Sequence, residues 1–146
     1  MEDISVHDNF LISYSVLCQK REIHLNTTFL DKEPYEYTDV IFSGVNLYHF
    51  ECDNFQTIIF DIEEAEIEDI YSEYEYLFSR LKNYGWITFA YESKEDLFQK
   101  MCEKKVKAFT INSSYELVGW IWAEKMRKSK SEIEQINGRE ARQRRS

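Results

Sequence analysis

The sequence predicts an α+β fold, a mostly antiparallel sheet of about six or seven strands with two helices packed on one face. Three observations lead there. The first sixty residues alternate apolar and polar side chains at the strand period, and residues 67–81 switch to the helical period. The gaps between the early strand runs are a few residues each, too short for the crossovers that parallel strands require.

The elements follow in order. Phe10 to Cys18 sets Leu11, Ser13, Ser15 and Leu17 against Phe10, Ile12, Tyr14, Val16 and Cys18, a strand. After the break at Lys20-Arg21, Ile23, Leu25, Thr27 and Phe29 alternate with polar neighbours and complete a hairpin, although the turn lacks Asn-Gly or Asp-Gly. Beyond a loop around Asp31 to Pro34, Tyr37 to Phe42 forms a third strand, and Ser43-Gly44 a turn or bulge. Val45 to Cys52 and Gln56 to Ile62 continue as strands separated by the turn signal Asp53-Asn54, which together read as a meander.

Ile67, Ile70, Tyr71, Tyr74, Leu77, Phe78 and Leu81 then recur at three- and four-residue spacing, the apolar stripe of an amphipathic helix. Asn83 and Gly85 end it, Gly85 as a left-handed cap. Ser93, with Asp96 three residues on, caps a second helix whose Leu97, Phe98 and Met101 face the core. Val106 to Ile111 and Leu117 to Ala123 close the sheet, and Gly119 marks a bulge or a close backbone approach. From Lys125 onward the chain is polar and basic and is expected to fray, or to become helical only when docked. The expected division is a single domain over 1–124 and a tail over 125–146.

Composition bounds the function. The 146 residues fit one core, and 1 Pro and 4 Gly leave little room for long loops. No run of about 18 apolar residues is present, so no membrane contact is expected, and the acidic start is unlike a signal peptide. Cys18, Cys52 and Cys102 lack paired spacing, which points to reduced, mostly buried thiols in a cytoplasmic protein. The formal charge is −9, unevenly spread: residues 124–146 carry 8 basic and 4 acidic side chains, so residues 1–123 carry 10 and 23, a net of −13. Such a body repels nucleic acid and attracts basic surfaces, leaving nucleic acid contact to the tail alone.

The candidate site is the acidic stretch Asp61, Glu63, Glu64, Glu66, Glu68, Asp69, Glu73 and Glu75, with no basic residue before Arg80. It reads as a solvated strand end and helix face, as a docking surface for a basic partner, or as a divalent-metal site. His49 and Glu51 share a strand face, the spacing of an acid/base or metal pair, but no further ligands at zinc spacing accompany them. Ser113-Ser114 lacks a nucleophile elbow, no Gly-rich phosphate loop exists, and Cys102 reads as a structural thiol despite Lys104 and Lys105. No cofactor or catalytic residue is expected. Trp120 and Trp122 share a face, either as core or as a binding platform.

The runs His7 to Tyr14, Tyr37 to Phe42, Tyr48-His49-Phe50 and Ile58 to Glu64, with Ser113-Ser114-Tyr115 and Gly119-Trp120, resemble a group of small bacterial proteins similar to immunity proteins of polymorphic toxin systems. The resemblance covers about residues 7–124, leaves the basic tail unmatched and carries no catalytic positions. It implies a cytoplasmic protein of the immunity or inhibitor kind. The charge pattern adds the expectation that the acidic face, from the Asp61 strand end through the first helix, occludes a basic active site in a toxin such as a nuclease, with Tyr48, Tyr71, Tyr74, Tyr76 and Trp86 as candidate anchors where they lie off the apolar stripe. Two other expectations stand beside it: an adaptor subunit tethered by its basic tail, and a small enzyme holding a divalent ion with His49, Glu51, Asp53 and Asp61.

Overall fold

The computed structural model describes residues 6, 8–29, 33–51, 58–81, 91–113 and 118–130. Among them lie six strands, β1 (Asn9–Leu17), β2 (Glu22–Phe29), β3 (Glu36–Glu51), β4 (Ile58–Ala65), β5 (Lys107–Ser113) and β6 (Val118–Lys130). Three helices, α1 (Ile67–Glu73), α2 (Glu75–Leu81) and α3 (Lys94–Glu103), connect β4 to β5. The fold is α+β. All strand pairs are antiparallel, in the order β1-β2-β3-β6-β5-β4, and β1 meets β4 through Asn9 and Phe10 to close a barrel. No helix among the described residues is long and apolar enough to cross a membrane.

The β1–β2 hairpin forms without glycine in its turn, because Arg21 takes the left-handed conformation at φ 53°. A bulge between Leu11 and Ser13 shifts the alternation expected for β1, so Leu11, Tyr14 and Val16 face the barrel interior and Ile12 is exposed.

The two strands expected on either side of Ser43-Gly44 are one. Gly44 is a left-handed position at φ 62°, and the ladder to β6 shifts register between Val45 and Leu47. A bulge bends a strand without ending it. Before the bend β3 lies between β2 and β6; beyond it β6 is its strand partner. The expected meander is therefore replaced by two long strands, β3 and β6, that each serve both halves of the barrel.

Where β5 and β6 pair, the segment Trp120 to Ala123 of β6 is buried on both faces. Inside the barrel, Leu25, Val40, Phe42, Phe109, Ile111, Ile121 and Ala123 form one core. Outside it, Trp120 and Trp122 sit with Leu47, Ala108 and the helix residues Ile70, Tyr74, Phe78, Leu97 and Met101 in a second. The two tryptophans are 1% and 0% exposed, so they are core. Phe78 stacks on both, with ring centroids 6.0 and 5.4 Å away.

The amphipathic stripe of residues 67–81 packs as expected, but as two helices broken at Tyr74, whose ψ of 22° leaves the helical range. Phe78 N still donates to Tyr74 O, so the stripe keeps its phase across the break. Ser93 caps α3 by accepting from Asp96 N at 3.2 Å, and Asp96 accepts in turn from Glu92 N. The expected cap residues Asn83 and Gly85 lie outside the described residues.

Two expectations need correction. Cys18 and Cys102 are exposed, not buried; Cys52 lies outside the described residues. Residues 125–130, expected as the start of a frayed or helical tail, are strand: Lys125 pairs with Ser43 and the ladder runs on to Lys130 opposite Thr38. Ladder hydrogen bonds and the packing of Met126 against the barrel core override a polar local sequence. The rest of that tail, 131–146, is outside the described residues.

A Cβ at position 44 would meet both the disfavoured left-handed backbone conformation and the Glu124 side chain. Gly44→Ala is expected to lose about 1–2 kcal/mol from handedness alone and more from the overlap, read as a lower urea midpoint at unchanged slope.

Candidate docking face

The end of β4, Glu66 and α1–α2 carry the acidic stretch. The apolar stripe is seated on Trp120 and Trp122, so the helix residues that alternate with it turn outward. Seven of the eight predicted carboxylates, Glu63, Glu64, Glu66, Glu68, Asp69, Glu73 and Glu75, are exposed. Asp61 departs from them: it is half-buried, and its Oδ1 accepts the Ile62 backbone N–H at 2.8 Å.

Glu64, Glu66, Glu68 and Asp69 border a cleft of about 570 Å³ between the β4–α1 junction and α3. Its floor is apolar, built from Ala65, Ile67, Phe98, Val106 and Ala108. Lys107 lies at its edge, 3.5 Å from Glu64, an exposed pair that contributes little to stability. The other six exposed carboxylates have no ion pair among the described residues. An acidic rim over an apolar floor suits a Lys or Arg side chain, with the methylenes laid on the floor and the head group at the carboxylates.

Of the candidate anchors, Tyr76 is 59% exposed and Tyr48 is 37% exposed, whereas Tyr71 is half-buried and Tyr74 buried. Trp86 is outside the described residues. Tyr76 extends the acidic face, one residue beyond Glu75. Tyr48 lies elsewhere, on a second cleft of about 600 Å³ between the tip of the β1–β2 hairpin and β3. That cleft, lined by Val16, Ile23, Val45 and Phe50 among others, was not foreseen, because it exists only where β3 bends away from β2.

His49 and Glu51 do meet, Nε2 to Oε1 at 2.6 Å. The imidazole lies against Tyr74 and Trp120, with centroids 5.3 and 5.8 Å away. Asp61 does not join them. Glu51 is opposite Val118 on β6 and Asp61 opposite Asn112 on β5, so β5 and β6 stand between the two acids, about 14 Å of sheet. Asp53 is outside the described residues, and among the described residues no three His, Cys, Asp or Glu side chains group around a point. His24 pairs with Glu22 at 2.9 Å, and His7 is outside the described residues.

The carboxylates also mark the tyrosines. Burial, then Glu51, Glu73 and Tyr76, pushes Tyr74 up from the ordinary 10.0 to about 12. Tyr71 is raised by burial and by Glu75 and Glu95, and Tyr91 by burial and by Tyr71.

The chain matches no family model, no curated protein and no solved structure.

The Tyr74 shift has a stability consequence. The unfolded chain loses the phenol proton near 10.0 and the folded chain near about 12, so the unfolded state binds fewer protons in that window. The stabilisation is complete below the lower value and is lost as pH rises toward the upper one. Tyr74→Phe is expected to show a shallower fall of the urea midpoint across that range than the parent. Tyr71 and Tyr91, also raised by burial, contribute to the fall that remains.

Proposed function

We infer that this chain is a non-catalytic protein-binding domain, an inhibitor of the immunity-protein kind. Its acidic face docks on a basic partner such as a bacterial toxin in the cytoplasm. The observation that carries the reading is the set of exposed carboxylates from Glu63 to Glu75, six of them without an ion pair among the described residues, around a cleft with an apolar floor. Like charges held this close repel one another, and a cationic partner relieves that repulsion. The remaining affinity comes from anchors that bury apolar area, and Tyr76 is the exposed aromatic placed to do so. Long-range attraction guides encounter, and the cleft fixes register.

The test is capture of partners from the native bacterium by the parent chain and by a Glu66→Lys/Glu68→Lys/Asp69→Lys variant, at low and raised salt. The parent is expected to retain one basic protein that raised salt releases. The variant should weaken that association by about tenfold or more, since reversed charges at a rim both remove attraction and add repulsion. Equal retention by the variant, or a partner without a basic surface, defeats the reading.

A further inference from the structure

We propose that the free edge of β6 over Lys125–Lys130 is a second docking site, one that takes an extended acidic segment of another protein as an added strand. The inference goes beyond the acidic face and is independent of it, since it concerns a surface of opposite sign.

The ladder between β5 and β6 ends at Lys107 opposite Ala123. Beyond it β6 continues to Lys130 with β3 on one side only, pairing Lys125 with Ser43, Arg127 with Ile41, Lys128 with Val40 and Lys130 with Thr38. Along its other side the strand has no partner among the described residues. Six residues of strand span about 20 Å, enough for several ladder hydrogen bonds to an incoming chain.

That edge carries a dense positive charge. Lys125, Arg127 and Lys130 are exposed and Lys128 is half-buried, and none of the four has an ion pair among the described residues. Strand alternation places Lys125 and Arg127 on one face, and Lys128 and Lys130 on the other with Met126, which packs against the barrel core.

Lysines on an open edge guard against pairing with a second identical edge, because two such rows repel. The same row selects for its opposite. A strand with carboxylates at alternate positions satisfies free N–H and C=O groups through its backbone and the exposed cations of one face, Lys125 and Arg127, through its side chains. Nucleic acid answers the charge but not the backbone, and it would approach a body whose first 123 residues carry a net of −13. An acidic peptide strand is the occupant that meets both features.

The probe is a fluorescein-labelled peptide of alternating Glu and Thr, titrated into the full chain and followed by anisotropy. Its counterpart has the same sequence and charge but N-methylated amides at alternate residues. The unmodified peptide is expected to bind, to weaken with salt, and to lose most of its affinity to a Lys125→Glu/Arg127→Glu variant whose melting temperature matches the parent. N-methylation should weaken binding by about tenfold or more, the worth of two or three backbone hydrogen bonds. The acidic-face variant Glu66→Lys/Glu68→Lys/Asp69→Lys should bind the peptide as the parent does, which separates this site from the other. The proposal is overturned by an unmodified peptide that does not bind, by equal binding of the methylated peptide, by indifference to the β6 substitutions, or by tighter binding of a duplex DNA of equal charge.

Discussion

The structure depends on one short segment being buried on both sides. Gly119 to Ala123 of β6 lies between β3 and β5, with Ile121 and Ala123 in the barrel and Trp120 and Trp122 beneath the helices. Alternation alone produces this division, since successive side chains of a strand point to opposite faces. Gly119 is part of it: a Cβ there would come within 2.5 Å of Phe50 Cδ1, so the missing side chain lets β3 and β6 stay in register at their end. Trp122 is seated without a hydrogen-bond partner for its indole N–H among the described residues, a cost of roughly 1–3 kcal/mol. The stack on Phe78 and the tilted contact with Trp120 offset it: burying large aromatic side chains is among the strongest stabilising terms a small domain has.

The placement of charge follows from that packing. Once Ile70, Tyr74 and Phe78 are seated on the tryptophans, Glu66, Glu68, Asp69, Glu73 and Glu75 have nowhere to go but outward. Repulsion among them opposes the helices, and α1 gains little from its own end: Glu66 occupies the N-cap without making a side-chain hydrogen bond. Glu68 and Asp69 in the first turn recover part of this through the helix dipole. The helices are held by their apolar side, which lets the other side keep a charge density that their local sequence alone would not sustain.

What the sequence disclosed and what it hid divide along one line. Features set by neighbours a few residues away were legible: the period of residues 67–81, the Ser93 cap, the shared face of Trp120 and Trp122, and the acidic run as an exposed strip. Features set by distant partners were not. Whether Ser43-Gly44 ends a strand or bulges it depends on β6, eighty residues later, arriving opposite both halves of β3. The strand character of 125–130 depends on the same pairing, because nothing in Lys-Met-Arg-Lys-Ser-Lys favours a strand until β3 offers it a ladder. Asp61 shows the limit at a single side chain: as a residue it belongs to the acidic run, but its carboxylate is engaged by the next backbone N–H.

The two charged surfaces raise the question of whether copies of this chain would join one to the other. Net charge argues against it. At −9 overall, two copies repel at long range before any acidic face meets a basic edge, and that edge carries only Lys125, Arg127, Lys128 and Lys130 next to Glu124. At physiological salt the field falls off over about 8 Å, so local complementarity acts only after contact. A basic partner at the acidic face experiences no such barrier, because the whole body attracts it. A partner at the β6 edge must instead be locally acidic without bringing a large negative charge of its own. That requirement favours a short extended segment over a second folded copy as the occupant proposed for this edge.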